Sequence, residues 1–236
     1  PGRSLALMAL LLAMAANVGV STMVSSFRLT FLTFLDQRLA SELYVSVAEA
    51  EEAPALQAFL AGRAEAVLPI VWVDRDVAGV PAEIYGTRDH ATYRETWRFL
   101  AAAETPWDSV FAGEGAIVNE QLLRRAGLTV GDVVRLAPDV ALPVVGVVGD
   151  YGNPVGQVIL GEDLFAALYP EAVATRFGIR TAEPDALSLA LREDFGLPEG
   201  QITDQAALKR FSVEIFERTF AVTGALNVLT LAVAAF

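Results

Sequence analysis

The chain has 236 residues, 54% of them hydrophobic, with a mean hydropathy of +0.44, no cysteine and a formal net charge of −12. That acidic balance excludes binding of nucleic acid or of an anionic lipid surface through bulk charge. The lack of cysteine suits a reducing and an oxidising compartment equally. So apolar an average is rare in a soluble protein of this size, so the position of the apolar residues matters.

They gather at the two ends. Between Arg3 and Arg28 lies LALMALLLAMAANVGVSTMV with its flanking serines, and no ionisable side chain interrupts it. A helix needs roughly 20 apolar residues to cross the hydrocarbon layer, so residues 4–27 are expected to be a transmembrane helix. A cleaved signal peptide has a shorter apolar core, and here the helical pattern runs straight through the run; a buried core helix is the other reading. Asn17, Gly19, Ser21, Thr22 and Ser25 suit close packing against other membrane helices. Arg3 on one side and Arg28 and Arg38 on the other give no orientation.

After the apolar run, Phe27, Phe31, Phe34 and Leu35 recur at helical spacing, which predicts that the helix continues outside the membrane over 28–41. A second stripe, Phe211, Ile215 and Phe216, predicts a similar helix over 206–218. It leads into the uncharged TFAVTGALNVLTLAVAAF, expected at 219–236 to be the start of a further transmembrane helix. Two helices that stay amphipathic beyond the membrane are expected to pack on each other as a stalk.

The segment between them reads as an α+β head. Strands are expected at 42–47, 66–77 and 81–87, the last two a hairpin across Ala78-Gly79, with a helix at 53–63. Asp89 is the expected N-cap of a helix through Tyr93 and Trp97. A strand at 116–118 is followed by a helix that Asn119 caps and Gly127 ends. Gly131 and Asp132 form a turn, glycine for its free φ and Asp for bonds to nearby amides. Strands at 143–150 and 156–161 and a helix at 162–170 come next. Strand 175–181, helix 184–196 and strand 201–204 close the head. The expected division is an α/β part, 42–111 with 173–205, made of βαβ-type units, and an inserted β-rich part, 112–172.

At this point GVSTMVSSFRLTFLTFLDQRLASELYV, AIVNEQLLRRAGLTVGDVVRL, PVVGVVGDYG and ERTFAVTGALNVLTL together resemble the FtsX-like or MacB-like permeases of ABC transporters. The more specific part is Gly-Leu-x-x-Gly-Asp after a helix, paired with Val-x-Gly-Val-x-x-Asp. The start resembles the second loop of long permeases that carry two such domains. The resemblance implies a porter-like α/β part with a β-rich insertion, in the periplasm or outside the cell, held in the bacterial inner membrane. It also implies a cytoplasmic ABC ATPase partner that binds the ATP, so that this chain holds no cofactor. Further membrane helices of the same permease, the lipid bilayer and a periplasmic partner protein complete the implied neighbours. The role implied is mechanical: nucleotide-driven movement passes along the stalk to a head that moves or extracts a lipid, lipoprotein, peptide or similar amphiphile.

No catalytic constellation is legible. Asp74, Asp76, Asp89 and His90 lack the second ligand pair a metal centre needs, and GEGAIV lacks the spacing of a phosphate loop. Tyr85, Trp97 and Trp107 are the candidates for contact with a substrate or partner, against the alternative that they fill the core. A membrane-anchored binding or sensor domain without an ATPase is the competing functional class.

Overall fold

The computed structural model describes residues 2–150 and 153–235 and separates into two units. One consists of the chain up to Asp36 together with the chain from Ala206; the other is Gln37–Gln205. A single helix, α1 (Gly2–Arg38), leads from the first into the second. Among the described residues, its stretch Leu11–Arg38 is long and apolar enough to cross a membrane.

The second unit, the head, opens with β1 (Leu43–Ser46), α2 (Ala53–Leu60) and β2 (Ala66–Val77). A tight turn leads into β3 (Val80–Thr87). Its central residues, Ala78 and Gly79, both have positive φ, as a two-residue hairpin turn matched to strand twist requires. The Gly79 N–H donates to Asp76 Oδ1 at 2.9 Å. Next come α3 (Ala91–Thr96), β4 (Phe99–Ala102), α4 (Pro106–Phe111) and β5 (Ala116–Asn119). The N-cap of α3 is His90, whose Nδ1 accepts from the Thr92 N–H. Asp89, expected in that place, instead takes two hydrogen bonds from Arg94, which hold its carboxyl below the ordinary range.

Helix α5 (Glu120–Ala126) has one end set by a side chain and the other by backbone conformation. Asn119 Oδ1 accepts from the Leu122 N–H, and Gly127 closes the helix in the left-handed region at φ 67°. Strands β6 (Val133–Ala137), β7 (Val140–Val148) and β8 (Gly156–Gly161) follow, then α6 (Glu162–Leu168) and β9 (Arg176–Arg180). The head ends with α7 (Pro184–Glu193) and β10 (Ile202–Asp204), after which α8 (Gln205–Ala235) leads back into the first unit.

All ten strands join one sheet in the order β10-β1-β9-β2-β3-β8-β5-β7-β4, with β6 also paired to β7. Strand β2 is the shared member. Ala66–Ile70 pair with β9, and Val71–Val77 pair with β3. Alternation then assigns each residue to a face. On one face Leu43, Val45, Phe177 and Ile179 bury against Leu56 and Leu60 of α2 and Leu187 and Leu191 of α7. Further along that face Ile84, Val118, Val158 and Leu160 bury against Leu122 of α5 and Phe165 of α6. The opposite face carries a smaller cluster in which Ile117, Val148 and Ile159 meet Trp107 and Val110 of α4.

The sheet runs without a break across residue 112, the expected start of the β-rich part. Strand β3 pairs in parallel with β8, and β4 pairs with β7, so this part of the sheet begins within β2 at Val71. The reason is that a period of two marks a strand without naming its partner, and β3 finds its second partner some 70 residues away.

Candidate functional site

In the first unit the two helices run antiparallel along a seam. Phe216 of α8 stacks on Phe31 of α1 with ring centroids 5.3 Å apart and on Phe27 at 5.7 Å. Phe220 adds contacts to Phe27 at 6.1 Å and to Phe216 at 4.6 Å. Two ion pairs flank the Phe31–Phe216 contact: Arg28 with Glu217 at 2.9 Å, and Asp36 with Lys209. Residues 28 and 36 lie eight apart on α1, and 209 and 217 lie eight apart on α8, so one register satisfies both pairs. The charges are exposed and contribute little energy; they fix the register of the aromatic contact.

The structure therefore brings together Phe27, Phe31 and Phe216 of the expected stripes and adds Phe220. Leu35 is buried and Phe34 half-buried. Phe211 and Ile215 do not join the seam; they are 60% and 50% exposed. Helix geometry gives the reason: Ile215 is turned about 100° from Phe216, so both cannot face α1.

In the head, a polar chain starts from Arg38. Its Nη2 lies 3.0 Å from Asp150 Oδ1 and donates to Gln157 Oε1 at 2.8 Å. Asp150 is 3% exposed, and its other oxygen accepts from Asn119 Nδ2 at 3.1 Å. Asn119 Oδ1 receives the Gln157 N–H as well as that of Leu122. Gln157 Nε2 donates to Glu83 Oε2 at 3.3 Å, and the Tyr85 hydroxyl donates to the same oxygen at 2.7 Å. Burial and this carboxylate together push the Tyr85 hydroxyl well above its ordinary range. One cation thus ties the last residue of α1 to β3, β5, β8 and the end of β7. Close by, Gln205 binds the first residues after α1: its N–H donates to Glu42 O and its Nε2 to Leu39 O.

Beside the network lies an aromatic cluster. Trp97 is half-buried and has the Arg38 guanidinium 5.7 Å from its ring centroid. Tyr85 is half-buried and stacks on Trp72 at 5.9 Å. Trp107, expected as a contact residue, is a core residue at 5% exposure, between Phe111, Trp97, Phe99 and Tyr93. Among the described residues its Nε1 is the buried side-chain nitrogen or oxygen without a hydrogen-bond partner. Its place in the core follows from Pro106, which starts α4 and turns Trp107 inward with Val110.

Gly131 takes φ 97°, and Asp132 Oδ2 accepts from the Thr129 N–H and hydroxyl. The same turn bonds to β7 through Gly131 N–H to Val144 O and Val144 N–H to Asp132 O. Sequence reasoning did not single out Asp150, Asn119 or Gln157 as site residues. The available signals were the carboxylate closing PVVGVVGD and an arginine interrupting an apolar stripe at position 38. No group of three or more His, Cys, Asp or Glu side chains that could hold a metal ion occurs among the described residues.

An α+β domain whose chain begins and ends in long helices with apolar runs is thus the class of molecule. The chain belongs to the family of the MacB-like periplasmic core domain, whose model matches residues 4–203. It is 25% identical over 258 residues to an uncharacterized ABC transporter permease protein, Rv0987, of Mycobacterium tuberculosis, with 98% of this chain covered. The chain spans about 30% of that relative's length. Among solved structures, the periplasmic region of MacB from Actinobacillus actinomycetemcomitans aligns over 74% of this chain and 94% of that one, at 12% identity and TM-score 0.48. The extracellular domain of the noncanonic ABC-type transporter YknZ from Gram-positive bacteria aligns over 70% and 98%, at 10% identity and TM-score 0.48. These two likenesses are too distant to carry an argument.

Proposed function

We propose that the chain is part of the permease subunit of an ABC transporter of the mechanotransmission type. It couples ATP hydrolysis by a separate cytoplasmic ATPase to movement of the head, and that movement exports or extracts a lipid, lipoprotein, peptide or similar amphiphile. The proposed location is the bacterial inner membrane, with the head in the periplasm or outside the cell. Family membership and the relative described as a permease support the class. The observation that carries the mechanical part is the seam: aromatic rings and two ion pairs hold α1 and α8 in one register, the contact that nucleotide-driven movement would shift. Arg38 extends this reading, because the last residue of α1 is bonded into the head's own polar network. Exposed Phe211 and Ile215 are the surface left for further membrane helices of the permease.

The test uses the full-length permease purified with its ATPase. This chain has no cysteine of its own, and with any cysteine elsewhere in the complex replaced, cysteines at positions 28 and 217 can be bridged by a short bifunctional maleimide. The yield is expected to change between the nucleotide-free and the ATP-vanadate states. Failure of any ATPase to copurify, together with a yield indifferent to nucleotide, would overturn the reading in favour of an anchored sensor domain.

A further inference from the structure

The head carries a partly open cavity of about 140 Å³ on the sheet face that bears the aromatic cluster. Its floor is Ile70 of β2, Tyr85 of β3 and Ile159 of β8. The pairing explains the floor: Tyr85 lies opposite Trp72, two residues from Ile70, and beside Ile159. Its walls include Tyr44, Tyr93 and Trp97. Arg38 and Gln157 also reach it, yet each is engaged in the polar chain described above, which leaves the cavity little charge to offer.

Three features define the occupant. A cavity of about 150 Å³ with an apolar lining accommodates benzene, so this one has room for a single ring. Aromatic walls favour a planar aromatic guest through stacked or edge-on contacts. The third feature is a tyrosine hydroxyl. The Tyr44 hydroxyl donates to Arg38 O and accepts the Ser41 N–H, and the Tyr85 hydroxyl is spent on Glu83. The Tyr93 hydroxyl has no hydrogen-bond partner among the described residues. Burial keeps it protonated, so it can both donate and accept.

We infer that this cavity is a binding site for one uncharged aromatic ring bearing a hydroxyl, held by ring contacts with Trp97 and Tyr85 and by a hydrogen bond with Tyr93. The ring belongs either to a free phenolic compound or to a tyrosine side chain of a peptide whose backbone stays outside. The inference stands on the geometry of the head and holds with or without an ATPase partner.

Fluorine NMR on the full chain in lipid nanodiscs, with empty nanodiscs as the baseline, tests it. 4-Fluorophenol is expected to show saturable broadening and to bind several-fold more tightly than fluorobenzene. Tyr93→Phe should reduce that preference about fivefold while ring binding persists, the effect of one lost hydrogen bond. Ile70→Phe fills the floor and Ala40→Leu, at a further residue of the lining, fills another side; each should abolish binding, and either suffices if the other misfolds. N-acetyl-3-fluorotyrosine amide separates the sources: binding equal to fluorophenol identifies a peptide side chain, and exclusion identifies a free compound. Absence of saturable binding, binding that survives both filling variants, or an unchanged preference in Tyr93→Phe overturns the inference.

Discussion

The carboxylate of Asp150 is met by one guanidinium and one amide, from Arg38 and Asn119, in a site where water has little access. Truncating a partner of such a pair leaves a charge buried alone, which costs several kcal/mol, whereas replacing both by apolar groups is often neutral. Arg38 is partly exposed, which tempers the figure. Arg38→Ala is therefore expected to destabilise the head by about 2–3 kcal/mol. Arg38→Met combined with Asp150→Leu should recover much of that loss. Thermal unfolding of the full chain followed by near-UV circular dichroism measures both, and equal damage from the single and double variants would contradict the assignment. This pair also marks where reading from sequence stops. Position 38 has a legible helical phase, but the residue that neutralises it lies 112 positions further on, and no local pattern connects them. Asn119 is the opposite case. Its role as a cap is local and legible, while its bonds to Asp150 and to the Gln157 backbone depend on strand neighbours brought in by the sheet.

At the scale of elements, the helices α1 and α8 contrast two apolar stripes on the same helix. The stripe through Phe211 and Ile215 is the more apolar in sequence, and the stripe through Lys209, Phe216, Glu217 and Phe220 makes the contact. The aromatic contact goes with that stripe, which also offers a cation and an anion in register with Asp36 and Arg28. Periodicity shows that a helix has an apolar face; it does not show which neighbour that face meets. Phe31→Asp places a carboxylate among Phe27, Phe216 and Phe220, where an unpaired charge is costly. Crosslinking between cysteines at 28 and 217 is expected to fall several-fold in that variant. Phe211→Asp, on an exposed position, should leave the yield unchanged. Equal loss in both variants would place α8 in a different rotation. The strands teach a related lesson. Their existence is legible from alternation and from turn residues such as Ala78-Gly79, but the parallel pairing of β3 with β8 is a tertiary fact.

Over the whole molecule, ionisation links the head's aromatic side to its stability. Burial raises the hydroxyl pKa of Tyr44, Tyr85 and Tyr93 above the ordinary value of 10.0. Above that pH the unfolded chain releases these protons and the folded head retains them, so the native state binds more protons and stability falls as pH rises. Each tyrosine contributes at most about 1.4 kcal/mol per pH unit in that window. Denaturant midpoints are expected to hold steady to about pH 9.5 and drop beyond pH 10, less steeply in Tyr93→Phe; an unchanged slope in that variant would remove Tyr93 from the account. The class of fold was legible at this scale from the alternation of strand and helix patterns between two apolar ends. The course of the sheet was not, because β2 serves both halves and hides the boundary. A last consequence concerns how such a head is joined to its helices. Leu43 of β1 lies opposite Asp204 of β10, and Gln205 bonds to Leu39 and Glu42. The polypeptide thus leaves the head one strand's width from where it came in, and the intervening residues form a closed excursion. For the rest of the chain such an excursion is a cassette: its contents can lengthen, shrink or be exchanged while the two flanking helices keep the same connection to one another.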